Sequence, residues 1–120
     1  MAHILIIEDE IDLRNFIRDI LQREGHQVYE AGQVSQALDH LATASIDLIL
    51  LDLHLPGGIN GDDLLFTLRD EGNQVPVIVV SGWVEDASLN HQPDCVYAVL
   101  KKPIKIDLFL DTVRQALIPA

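Results

Sequence analysis

Aliphatic residues gather in five short runs, Ile4 to Ile7, Val28 to Ala31, Ile46 to Leu51, Val75 to Val80 and Val96 to Leu100. Runs this short, with little polar alternation, read as strands of a parallel sheet covered on both faces. The second is flanked by His26 and Gln27 and contains Glu30, which places it nearer an edge. The third ends abruptly at Asp52 and enters a Pro56-Gly57-Gly58-Ile59-Asn60-Gly61 cluster, the signature of a central strand running into a loop. Pro76 sits at the start of the fourth run, where a missing N–H costs the ladder little.

Between the runs the spacing changes to that of helices. Leu13, Phe16, Ile17, Ile20 and Leu21 form one apolar stripe, and Gly25 supplies its stop. Val34, Ala37, Leu38, Leu41 and Ala42 form a second, and Leu64, Leu65 and Leu68, between Gly61 and Gly72, a third. Ile106, Leu108 to Leu110, Val113 and Leu117 form the last. Trp83 to Asp94 should also hold a helix, but it lacks a clear stripe and runs into Asn90-His91-Gln92-Pro93, so a short or irregular one is expected. The alternation is (βα) five times. With right-handed crossovers it predicts an α/β fold, a three-layer doubly wound parallel sheet of order 2-1-3-4-5, in one domain over residues 1–120.

Composition narrows the function. The 120 residues carry a formal net charge of -11, which disfavours direct contact with nucleic acid, since phosphate backbones demand clustered Lys and Arg. Cys95 is the only cysteine, so neither an intrachain disulfide nor a cysteine-based metal cluster is available. Its surroundings offer nothing to lower its pKa. Met1-Ala2-His3 lacks the cationic start of a signal peptide, and no apolar stretch approaches the roughly 20 residues needed to cross a bilayer. A cytoplasmic protein without a membrane partner is expected.

Candidate chemistry lies at the carboxyl ends of the predicted strands, the edge where open parallel sheets bind ligands. Glu8 and Asp9 close the first run, Asp52 the third, Ser81 the fourth, and Lys101-Lys102-Pro103 the fifth. Three crowded carboxylates repel one another, so at least one should have a raised pKa unless a cation joins them. A hard divalent ion, Mg²⁺ or Mn²⁺, suits Asp9 and Asp52, with Glu8 acting largely through water. His3, His26, His40, His54 and His91 are scattered without ligand spacing, which argues against zinc. Taken singly each site residue has a plainer reading: Asp52 a turn cap, Glu8-Asp9 a helix start, Ser81 a turn residue, Lys102 a solvated charge.

Taken together, Glu8-Asp9, Asp52 with Leu55-Pro56 and Gly61 downstream, Ser81 and Lys102-Pro103 resemble a response-regulator receiver domain of two-component signalling, a flavodoxin-like fold, over essentially the whole chain. The resemblance implies a phosphorelay switch rather than an enzyme with an external substrate. Asp52 would be the nucleophile that takes a phosphoryl group from a phosphohistidine on a sensor histidine kinase or histidine phosphotransfer protein. The metal and Lys102 would offset charge on the phosphoryl oxygens, and the Ser81 hydroxyl would bond one of them. Successive strand residues face opposite ways, so Lys101 and Lys102 cannot both enter the site. The family pattern selects Lys102, implies a cis Lys102-Pro103 bond, and adds the backbone carbonyl of His54 as a metal ligand. Phosphorylation would draw Ser81 inward and alter the surface of the fourth helix, fifth strand and last helix, changing its preference for an effector domain or protein, or for a second copy in a homodimer.

The chain departs from that pattern on the signalling side. An aromatic residue usually lies three positions before the lysine; here the position is Val99, which cannot swing between buried and exposed settings. Tyr97, on the same strand face, and Trp83, two residues past Ser81, are the substitutes at hand. The loop from Asp52 to Gly61 is one residue longer than usual through Gly57-Gly58. The expectation is therefore phosphorylation with an atypical readout. The alternatives are a receiver-like module that signals without phosphate and a small aspartyl-nucleophile phosphohydrolase. The latter usually carries a general acid two residues past its nucleophile, where this chain has His54. A flavodoxin-like cofactor binder needs a phosphate-cradling loop after the first strand, and Glu8-Asp9-Glu10 would repel a phosphate.

Overall fold

A computed structural model describes residues 2–52, 61–72, 75–81 and 96–118. Five strands, β1 (His3–Ile7), β2 (Gln27–Ala31), β3 (Leu48–Asp52), β4 (Val77–Ser81) and β5 (Val96–Lys101), form one sheet of order β2-β1-β3-β4-β5. Every pairing is parallel. The helices are α1 (Ile11–Arg23), α2 (Val34–Thr43), α3 (Gly61–Asp70) and α4 (Ile106–Ala116). The expected three-layer order is therefore observed. The irregular helix expected over 83–94, the lengthened loop and Cys95 lie outside the described residues.

The period-two alternation of each strand divides the core. Leu5, Ile7, Ile49, Leu51, Val77 and Val79 face α2 and α3, meeting Val34, Ala37, Leu64, Leu65 and Leu68. Ile4, Ile6, Leu48, Leu50, Ile78 and Leu100 face the other way, onto Ile17 and Leu21 of α1 and Phe109 and Val113 of α4. Complete burial of each such side chain stabilises the fold by about 1.5–3 kcal/mol. β3 lies between β1 and β4 and is buried at all its positions, which is why its sequence contains no polar residue before Asp52.

Punctuation follows the sequence closely. Gly25 adopts φ +89°, its N–H donates to Gln22 O at 3.0 Å, and His26 N–H donates to Leu21 O at 3.1 Å. These two bonds are the Schellman closure of α1, and the positive φ explains why glycine stands there. β4 begins at Val77 rather than at Val75: Pro76 has no N–H to pair, although its carbonyl accepts Ile49 N–H at 3.0 Å.

The apolar stripes are narrower than their spacing suggests. Phe16 is 43% exposed on α1, while Ile17 and Leu21 are buried. Ile106 and Leu108 are likewise exposed on α4, where Phe109 and Val113 take the core positions. A helix resting on a flat sheet buries one strip, and residues at the margins of a wider apolar arc stay wet.

Candidate functional site

Parallel pairing in this register brings the carboxyl ends of β1, β3, β4 and β5 to one edge of the sheet. Asp52 is the last residue of β3, opposite Val80 of β4, and is buried at 5% exposure. Glu8 follows β1 directly, and its N–H donates to Ala31 O at 2.9 Å, continuing the β1–β2 ladder one step. Its side chain is buried at the sheet edge, whereas Asp9 is exposed. One oxygen from each of Glu8, Asp9 and Asp52 falls within 4.8 Å of the others.

Lys102 closes the group. It follows β5 and precedes a cis peptide to Pro103. Its Nζ donates to Glu8 Oε1 at 3.1 Å and to Asp52 Oδ2 at 3.2 Å. Lys101 is exposed together with Tyr97 and Val99 on the opposite face of β5, as strand alternation requires. Ser81 ends β4 in register with Lys101. The side chain of Ser81, the carbonyl of His54 and Trp83 lie outside the described residues.

Three carboxylates face one ammonium, and burial makes that imbalance expensive. The Glu8 carboxyl responds: desolvation, then the adjacent Asp52 carboxylate, push it up to about 8, against the opposing pull of Lys102. Burial by itself would lower the Lys102 ammonium, but its hydrogen bond to Glu8 and the attraction of Asp52 outweigh that, and the net displacement is upward. The raised acid expected of a crowded trio is thus Glu8.

The donor set fits a hard divalent cation. Glu8 Oε2 is buried and receives no hydrogen bond from any described residue. Oxygen ligands around Mg²⁺ stand about 3–4 Å apart, as its 2.0–2.1 Å octahedral bonds dictate. A spread of up to 4.8 Å is close to that span, so the three acids could share one such ion.

One contributor was not singled out from the sequence. Arg14 of α1 donates from Nη1 to the Glu8 carbonyl at 2.8 Å and pairs through Nε with Glu30 of β2 at 3.5 Å. The available signal was the i, i+4 spacing of Arg14 and Arg18 on the flank of an otherwise apolar stripe, with Glu30 as the acid they share.

An open parallel sheet with acids and a lysine gathered at its carboxyl edge defines a doubly wound α/β protein whose acidic cluster could hold a metal ion. The sequence matches the response regulator receiver domain over residues 4–114, and the chain belongs to that family. It is 41% identical over 87 residues to the KDP operon transcriptional regulatory protein KdpE of Escherichia coli, covering 72% of this chain but only 38% of that regulator. It is 28% identical over 115 residues to the sporulation initiation phosphotransferase F of Bacillus subtilis, covering 95% of this chain and 92% of that protein. The response regulator TrrA of Thermotoga maritima, solved in complex with Mg²⁺ and BeF, superposes with a TM-score of 0.83 over 98% of this chain and 100% of that one; at 24% identity the likeness concerns the fold. Receiver domains are phosphoacceptor signalling domains of two-component systems rather than classical enzymes. They bind Mg²⁺ through acidic residues and work with sensor histidine kinases and effector domains. No helix among the described residues is long and apolar enough to cross a membrane.

Proposed function

We propose that residues 1–120 act as one phosphoacceptor domain in which Asp52 takes a phosphoryl group from a phosphohistidine on a sensor kinase or histidine phosphotransfer protein. The observation that carries this reading is the Lys102 ammonium held against both Glu8 and Asp52 with Asp9 in reach. In the transfer the N–P bond breaks as an Asp52 Oδ–P bond forms, and the imidazole leaves and regains a proton. Attack by water later splits the acyl phosphate, returning the carboxylate and releasing inorganic phosphate.

Asp9 and Asp52, the His54 carbonyl, and Glu8 through water would hold Mg²⁺ or Mn²⁺, which supplies positive charge to the transferring oxygens. Lys102 would answer the same charge, and Ser81 would bond a phosphoryl oxygen. Lys102 is suited to that task because it already bridges two strand ends.

The output surface is the exposed face of β5 carrying Tyr97 and Val99, 47% and 42% exposed. Tyr97 stands at an irregularity where β5 shifts register against β4. Tyr97 there offers this face an aromatic side chain, which Val99 does not. An effector domain or protein, or a second copy, would read this face in the cytoplasm.

Incubation with acetyl phosphate and Mg²⁺ tests the assignment. Wild type should take up one phosphoryl group and Asp52→Asn none. Equal labelling of the two removes Asp52 from the role, and sustained turnover of phosphate esters would point instead to a phosphohydrolase.

A further inference from the structure

The Glu8 backbone is held on both sides. Its N–H is bound by Ala31 O at 2.9 Å, and its carbonyl accepts from Arg14 Nη1 at 2.8 Å. That carbonyl belongs to the peptide plane joining Glu8 to Asp9. Fixing the plane fixes the direction in which Asp9 leaves the chain relative to Glu8.

Arg14 is itself confined. Its Nε faces Glu30 Oε1 at 3.5 Å, and Arg18 Nη1 approaches the same oxygen at 3.5 Å. On its remaining side is Gly32, where a Cβ would lie only 2.9 Å from Arg14 Nη1. Gly32 N–H is in turn bound by Gln36 Oε1 at 2.7 Å, which keeps the β2–α2 turn against the guanidinium. The φ of Gly32 is not positive, so what glycine supplies here is space beside Arg14 rather than backbone freedom, and an added Cβ would displace the tip of the arginine.

We infer that Arg14 is a positioning residue for the cation site, holding the Glu8–Asp9 peptide so that the two carboxylates converge with Asp52, and that Gly32 is the clearance it requires. This rests on the phosphoacceptor reading above. Groups that orient metal ligands without touching the metal typically alter affinity about 10- to 100-fold when removed.

Two variants approach the contact from opposite sides. Arg14→Met keeps the aliphatic stem and deletes the donor, and Gly32→Ala keeps Arg14 but pushes its Nη1 off the carbonyl. Calorimetric titration with Mg²⁺ should show a Kd raised about tenfold in both. The labelling rate with acetyl phosphate at subsaturating Mg²⁺ should fall in step with the weakened Kd. In metal-free protein the Glu8 and Asp9 amide resonances should shift in both variants. A lowered melting temperature with unchanged Kd, whatever the Glu8 and Asp9 resonances do, is the signature of a merely structural arginine and overturns the inference. Wild type that binds Mg²⁺ and labels, with both variants indistinguishable from it, overturns the inference alone. Wild type that neither binds Mg²⁺ nor labels overturns the phosphoacceptor reading and the inference with it.

Discussion

Lys102 Nζ lies 3.2 Å from Asp52 Oδ2, although 50 residues separate the two in the chain. The contact exists because β4 stands between β3 and β5, so a residue just past the end of β5 can reach back across β4 to the end of β3. The same ammonium holds Glu8 Oε1 at 3.1 Å, tying β1 into the group. A cation entering among the acids would compete with the Lys102 ammonium for the charge of the same carboxylates.

Lys102→Met should slow labelling by acetyl phosphate about 100-fold or more, the usual effect of losing one preorganised charge on a developing anion. Mg²⁺ affinity should not fall and should rise a few-fold, roughly the gain from removing a competing charge at a partly exposed site. Labelling kinetics and calorimetry on the same preparation check both halves. Parallel losses of rate and of Mg²⁺ affinity would contradict the competition.

The raised Glu8 carboxyl makes metal-free stability depend on pH. Folded Glu8 titrates at about 8 against 4.5 for the ordinary group, so between those values the folded state holds a proton the unfolded chain has lost. Stability from this group is therefore complete below pH 4.5 and declines as pH rises toward 8, by an amount on the order of a few kcal/mol. Glu8→Gln, which stays neutral, should flatten that decline. Urea melts of both proteins in EDTA across pH 5–8 provide the measurement, and equal slopes would show that Glu8 is not the group responsible.

Two phenylalanines separate core from margin. Phe109 is fully buried between α4 and the sheet, and Phe109→Ala should cost about 3–5 kcal/mol. Phe16, 43% exposed on α1, should lose no more than about 1 kcal/mol on the same change. Equilibrium denaturation ranks the pair, and comparable losses would mean that Phe16 is covered in solution.

Gly25→Ala introduces a side chain at φ +89° where no atom lies within 4 Å to obstruct it. The penalty is thus conformational, about 1–2 kcal/mol, with the fold and the site unchanged. A melting-temperature drop without change in Mg²⁺ affinity is the expected pair of results.

By itself the sequence determined the five strands, the four described helices and their order. Continuous aliphatic runs are demanded by burial on both faces, helical spacing by burial on one, and both demands are local enough to read from the chain. Glu8, Asp9 and Asp52 could be named because abrupt polar residues at strand ends are also local signals, whereas the choice of Lys102 over its neighbour Lys101 came from the family resemblance. The tertiary structure alone decided that Lys102 spans Glu8 and Asp52, that Glu8 is the acid pushed upward, that Phe109 enters the core while Phe16 stays out, and that Arg14 grips the Glu8 carbonyl beside Gly32. Those facts depend on distances across strands and helices far apart in sequence, and a periodicity of two or 3.6 residues carries no record of them.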